Sequence, residues 1–290
     1  MKLKKIRNAL LVVLTLALVS ATAVAITWAF TEGSFGDATN TFTNEDITAE
    51  LTEWEWDGKP SSVDPDKTNH TETKIGTSNL GETIAGSYSP NQTIPKNPSI
   101  SNISDLTTMI PDPNDDNPDD GIDQIHATDP QEWVAMTIRY YIKNGDDKYY
   151  FPSYDAFKDA LAAVKSDKNA NGFNEIDWTV TQGSFCTTCY YNSLLDNYAM
   201  TATVFDDVVT NKKSDLDTYI VSGKYKYTGL KKMTSTGAVT SNEICETTGY
   251  PEFHIELQGY AVQGDNLTQA QAKDELDKLI AADPITIALK

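Results

Sequence analysis

The sequence is poor in the side chains on which catalysis most often rests. It holds three histidines, His70, His126 and His254, and three cysteines, Cys186, Cys189 and Cys245. The histidines lie far apart, and none has a second His or a Cys at ligand spacing, so the paired-His helix of a zinc peptidase is missing. No G-x-S-x-G elbow, phosphate-binding P-loop or dinucleotide-binding glycine fingerprint occurs. No residue is nominated as catalytic, and the chain reads as a non-enzyme. Three cysteines are too few for a disulfide scaffold. Positive charge is also scarce, with 23 Lys and Arg against 42 Asp and Glu, a net −19. Such a surface repels nucleic acid and anionic lipid, which argues against both as partners.

What basic charge there is gathers at the start. Lys2, Lys4, Lys5 and Arg7 precede an apolar run from Ala9 to Val19, and small residues follow at Ala21, Ala23, Ala25 and Ala29. That order is the n-region, h-region and cleavage zone of an export signal. The stretch from Ala9 to Phe30 is also long enough to span a bilayer as a retained anchor. Thr15, Ser20, Thr22 and Thr27 dilute it, which favours cleavage, either between Ala29 and Phe30 or earlier, after Ala23 or Ala25. The expectation is a signal peptide over 1–29 and one secreted domain over 30–290. Loss of the four basic side chains would leave 19 basic against 42 acidic residues, a net −23.

The remainder has fourteen Tyr and five Trp, enough aromatic surface for a packed core. Alternation over Ile47 to Leu51, continued through Trp56, predicts a half-buried strand. Residues 57–97 and 105–130 read as long polar insertions, the second very acidic and broken by Pro, with one short strand near Thr83 to Tyr88. Trp133 to Lys143 is the clearest strand: Trp133, Ala135, Thr137, Arg139 and Tyr141 face one way and Val134, Met136, Ile138, Tyr140 and Ile142 the other. Apolar bulk on both faces marks a central strand. Ser153 begins a helix running to about Lys165. Further strands are expected at Ile176 to Thr181, Phe185 to Leu194, Tyr198 to Phe205, Thr218 to Tyr227 and Glu252 to Val262. Asn266 or Thr268 caps a last helix striped by Leu276, Leu279 and Ile280. The predicted fold is mainly β, an antiparallel sandwich with two short helices and long loop insertions.

In an oxidising compartment the expected outcome for the cysteines is one disulfide and one free thiol. Cys186 can close on Cys189 or either can pair with Cys245; zinc and redox roles are the minor alternatives. The only cofactor with sequence support is calcium. Asp167, Asn169, Asn171, Glu175 and Asp177 place oxygen donors at alternate positions around Gly172, like the start of an EF-hand loop. Trp178 stands where a bidentate Glu would close such a loop, so an ordinary Asn-Gly turn is the competing reading.

Two separated regions carry a resemblance. The run from Ala21 to Glu32, the step Ala38-Thr-Asn-Thr-Phe42 and the strand Ile47 to Leu51 resemble the N-terminus of the TasA/camelysin family, exported through a SipW-type signal peptidase. Phe253 to Gln263, followed by a helix rich in Ala and Gln, resembles the family's closing strand, with Gly259 where its ending has Ala. Ser89 to Pro98 looks like the turn before its second strand, and Trp178 with Tyr190 to Leu194 like its aromatic hairpin. Two long insertions and the cysteines in that hairpin depart from the pattern.

The resemblance implies a jelly-roll-like extracellular β-sandwich, of a kind that in some members builds biofilm matrix fibres. In those fibres the N-terminal segment of one subunit completes a sheet of the next. Carried onto this chain, the donor is Phe30, Thr31, Glu32, Gly33, Ser34 and Phe35, anchored by Phe30 and Phe35; the same stretch can also be read as a frayed tail. The implied partners are further copies of the chain, other matrix or surface components, and the signal peptidase. A monomeric adhesion module facing a glycan or host protein is the alternative, and a camelysin-like metallopeptidase a more distant one.

Overall fold

The computed structural model describes residues 31–33, 36–42, 49–58, 80–104, 110–111, 124–125, 131–169, 172–197, 199–264 and 267–290. The export segment 1–29, Phe30, Ser34, Phe35, His70, His126, Asn171 and most of the two insertions lie outside the described residues.

The strands are β1 (Thr31–Gly33), β2 (Gly36–Phe42), β3 (Ala49–Thr52), β4 (Thr93–Pro95), β5 (Ser99–Asn102), β6 (Ile110–Pro111), β7 (Gln124–Ile125), β8 (Glu132–Asn144) and β9 (Asp147–Tyr150). They continue with β10 (Ala162–Lys165), β11 (Trp178–Gln182), β12 (Thr187–Tyr191), β13 (Asp207–Thr210), β14 (Ile220–Val221), β15 (Lys224–Met233), β16 (Val239–Thr247) and β17 (Glu252–Gln263). The helices are α1 (Trp54–Asp57), α2 (Leu80–Ala85), α3 (Tyr154–Ala160), α4 (Lys213–Leu216), α5 (Gln269–Ala282) and α6 (Pro284–Leu289).

The centre is the antiparallel pair β8–β17, in register from Glu252 opposite Lys143 to Gln263 opposite Glu132. The large sheet runs β1-β2-β17-β8-β9-β15-β14, with β12–β11 branching from β8 and β16 from β15. Among the described strands every pairing is antiparallel except one: β2 lies parallel to β17, Ala38 beside Leu257 and Phe42 beside Ala261. The opposing layer is built from β3–β5 and the three-stranded β10-β13-β4. The main core joins Val134, Met136, Ile138, Tyr140 and Ile142 of β8 and Phe253, Ile255 and Leu257 of β17 to Ile94, Ile100, Val164 and Val208 from that layer. The mainly antiparallel β architecture expected from the pattern is therefore present.

The odd-numbered face of β8 is covered too. Ala135, Tyr260 and Val262 pack under Ala272 and Leu276 of α5, and Tyr141 and Tyr150 under Leu289 of α6. That is why both faces of Trp133 to Ile142 are apolar. Thr268 caps α5 through a capping box with Gln271, as the sequence implied.

Several expected elements differ. Trp54–Asp57 is a helical turn, and Trp56 is buried against Lys96, whose ammonium lies 4.5 Å over the indole. Lys96 is also ion-paired at 2.6 Å with Glu53. This buried clamp turns the chain where alternation alone would have extended it. Leu80–Ala85 is helix, so the short strand expected near Thr83 is absent there. Ser153 does cap α3, accepting from the Ala156 amide. However, the helix stops at Ala160, because Asn211 Nδ2 donates to the Lys158 and Asp159 carbonyls and Val164 pairs with Val208 in a sheet. Residues 199–205 form no strand, only an isolated bridge from Met200 to Ser101. Conversely, β16 and the second half of β15 are a hairpin that the polar sequence concealed.

Candidate functional site

Three features of the molecule could carry function: the N-terminal edge of the large sheet, the outer face beneath the C-terminal helices, and the 167–177 loop.

At the N-terminal edge, β1 turns back on β2, pairing Thr31 with Ala38 and Gly33 with Gly36. Thr31, Glu32 and Gly33 are thus paired within their own chain. The strand that completes the sheet along β17 is Gly36–Phe42, just after the donor segment expected from sequence. β2 therefore lies one strand in from the edge formed by β1, and among the described strands every other pairing of that sheet is antiparallel. A parallel partner cannot be reached by a tight hairpin, so this strand is held to β17 by its ladder and not by the turn geometry around it.

The outer face holds a buried polar cluster centred on Arg139. Its Nη2 donates to Asp283 Oδ2 and to Thr286 Oγ1, both at 2.5 Å, and its Nη1 lies 3.4 Å from Gln258 Oε1 and 3.9 Å from Glu256 Oε2. Glu256 is also bound by Lys148 Nζ at 3.0 Å and by the Tyr150 hydroxyl. Asp283 caps α6 as well, accepting from the Thr286 amide at 2.7 Å. Burial works against the Arg139 charge, while the surrounding Cys186, Glu256 and Asp283 hold its pKa above the ordinary arginine value. The cluster docks the C-terminal helices on the sheet. An arginine in the middle of an apolar strand was the signal for it, and sequence reasoning read that residue only as face alternation.

The three cysteines are free thiols, which corrects the expected disulfide. Cys189 points into the main core, whereas Cys186, just before β12, lies by Arg139 on the outer face. Residues three apart at a strand project to opposite sides, so these two cannot close. Cys189 pairs with Met136 and Cys245 sits beside Asn144. Those positions on β8 are about 26 Å apart at the strand rise, far beyond disulfide reach. Burial raises the pKa of all three thiols, that of Cys245 to about 11, so none resembles an activated redox cysteine.

The 167–177 donors diverge. The Asp167 amide donates to Asp206 Oδ2, the Asp177 carboxylate accepts from Asn174 Nδ2, Glu175 is exposed, and Asn169 closes a bridge with Ser166. Among the described residues no group of three or more His, Cys, Asp or Glu side chains is placed to hold a metal ion. His254 is structural in its contacts: its ring stacks on Tyr141 at 4.7 Å and its Nε2 lies 2.9 Å from Glu252 Oε1. No described helix is long and apolar enough to cross a membrane. No family model, curated protein or solved structure matches the chain.

Proposed function

We propose that the chain is a secreted structural protein of a bacterial surface or biofilm matrix, a relative of the TasA/camelysin proteins, that assembles by exchanging its N-terminal strand between copies. The observation that carries this reading is the parallel seating of Gly36–Phe42 on β17. A strand next to the sheet margin, carrying β1 on its outer side, makes the same backbone hydrogen bonds to β17 whether its own chain or a neighbour supplies β17. Head-to-tail exchange of that kind grows filaments wherever its rotation does not close into a ring. The sheet-completing element is assigned to 36–42, with 30–35 as the segment that leads into it. The export signal over 1–29 supplies the route to the outside, and the acidic surface keeps subunits soluble until they join.

Electron microscopy of the secreted protein tests the proposal. Filaments are expected from a chain beginning at Phe30 and none from a chain beginning at Phe42, which lacks nearly all of β2. Equal behaviour of the two chains, both monomeric or both fibrous, overturns it.

A further inference from the structure

The outer face of the large sheet holds a second feature besides the arginine cluster. In the β8–β12–β11 rows, Ala135, Tyr190 and Thr179 stand side by side, and Trp133 lies two residues along β8 on the same face. Helix α5 crosses over them. Between helix and sheet a cleft of about 280 Å³ remains, lined by Trp133, Tyr190, Thr179, Gln269, Lys273 and Leu276 among others. We propose that this cleft binds a neutral sugar ring.

The chemistry of the lining carries the assignment. Two half-buried aromatic rings and the Leu276 side chain form an apolar wall, and an amide, a hydroxyl and an ammonium stand at the rim. A pyranose has the matching division, with C–H groups on its faces and hydroxyls around its edge. The volume lies just below the range usual for drug-sized ligands and is enough for a single ring. The wall is held in place before any ligand arrives. The Tyr190 hydroxyl donates to Asp277 Oδ1, and Lys273 Nζ lies 4.2 Å over the Tyr190 ring while paired at 2.8 Å with Asp277 Oδ2. Thr179 Oγ1 donates to Asn192 Oδ1 at 2.7 Å, which leaves its lone pairs for an incoming hydroxyl. An anionic ligand is disfavoured, because Lys273, the cation among the described lining residues, is already neutralised by Asp277 and the chain as a whole carries −19. The site binds and does not cleave: the described lining residues include no Asp or Glu, and neighbouring Asp277 is engaged twice, whereas glycoside hydrolysis needs two carboxyl groups. The inference stands apart from strand exchange, since α5 and β12 take no part in the β2–β17 pairing.

Ligand-observed NMR with the methyl glycosides of glucose, galactose, mannose and N-acetylglucosamine, on the full secreted chain, tests the proposal. At least one is expected to give saturation transfer. Ala270→Trp, at an exposed position of α5 bordering the cleft, fills it and abolishes the signal. Gln269→Ala, also exposed, weakens binding about fivefold, the loss of one neutral hydrogen bond. Both variants keep the wild-type melting temperature and the wild-type filaments, which separates failure here from failure of the assembly reading. The proposal is overturned if no glycoside binds or if Ala270→Trp binds as well as wild type. It is also overturned if the cleft takes up anilinonaphthalene sulfonate and no glycoside displaces it.

Discussion

Removing Asp283 should cost the protein a large part of its stability, and the size of that loss can be worked from the Arg139 cluster. In Asp283→Ala the guanidinium loses its nearest counter-ion, 2.5 Å away, while its side chain stays buried. Breaking a buried pair by deleting one partner costs about 3–5 kcal/mol, because the other charge is left uncompensated. The same carboxylate caps α6, and loss of a cap costs about 1 kcal/mol more. One group serves both roles, so the two figures do not simply add. Gln258, Thr286 and Glu256 also still face the cation. A loss of about 4 kcal/mol is expected, set against the roughly 5–15 kcal/mol typical of a folded domain. Asp283→Asn keeps the cap acceptor and removes only the charge, so it should fall between. The double change Arg139→Met with Asp283→Asn replaces the pair with neutral groups and should recover to within about 1–2 kcal/mol of wild type. Urea unfolding followed by circular dichroism, extrapolated linearly, measures all three. The reasoning is wrong if Asp283→Ala lies within about 1 kcal/mol of wild type, or if the double change is as damaging as Asp283→Ala alone. Exchange protection of 284–289 is a further check, since undocking of α6 without global loss would show that the helices are not part of the cooperative unit.

Gly81→Ala should destabilise by about 2–3 kcal/mol through overpacking, because the added Cβ would sit 2.1 Å from the Pro95 carbonyl oxygen and 2.7 Å from the Trp56 ring; a melting temperature equal to wild type would refute this. All three cysteines should react with a thiol reagent in denaturant without prior reduction. In the native state Cys186, the only one of the three not fully buried, should react first, and a mass lower by two hydrogens would refute the free-thiol assignment. Asp207 has a carboxyl pKa raised from 3.8 by burial and by Asp206 and Asp167. A raised acid stabilises the fold below its unfolded pKa and loses that contribution as pH climbs through the folded value. Asp207→Asn should therefore raise the melting temperature at neutral pH, with the gain vanishing near pH 3, below the ordinary carboxylate pKa. A gain of equal size at both pH values would remove the electrostatic explanation.

The sheet was legible in the sequence wherever burial is two-sided or strictly alternate. Trp133 to Lys143 carries apolar bulk on both faces, and Glu252 to Gln258 alternates polar with apolar side chains, the patterns of a doubly covered strand and a period-2 strand. Local chemistry likewise fixed the starts of α3 and α5 at Ser153 and Thr268. What could not be read was tertiary override. Trp54–Asp57 alternates like a strand, but Glu53 and Lys96, 43 positions apart in the chain and 2.6 Å apart in space, bend it into a turn. Leu161 and Val164 continue the apolar face of α3, yet Asn211 ends that helix from outside. The cysteine spacing allowed a bridge that strand geometry forbids, and the role of Arg139 depends on Asp283, 144 residues downstream.

The parallel β2–β17 ladder also sets a timetable. Ala38 and Leu257 are partners, yet roughly 220 residues of chain separate them, the costliest kind of contact to form. A protein threaded outward from its N-terminus would present β2 long before β17 has left the cell. During that interval the strand has β1 beside it but lacks β17, and under the proposed exchange any finished molecule nearby with a vacant β17 margin would take it up. If the proposed strand exchange operates, whether a subunit closes on itself or joins a neighbour becomes a race between the arrival of its own C-terminal third and the local density of earlier arrivals. Slow export into a crowded surface layer would favour polymer, and fast export into dilute medium the closed monomer.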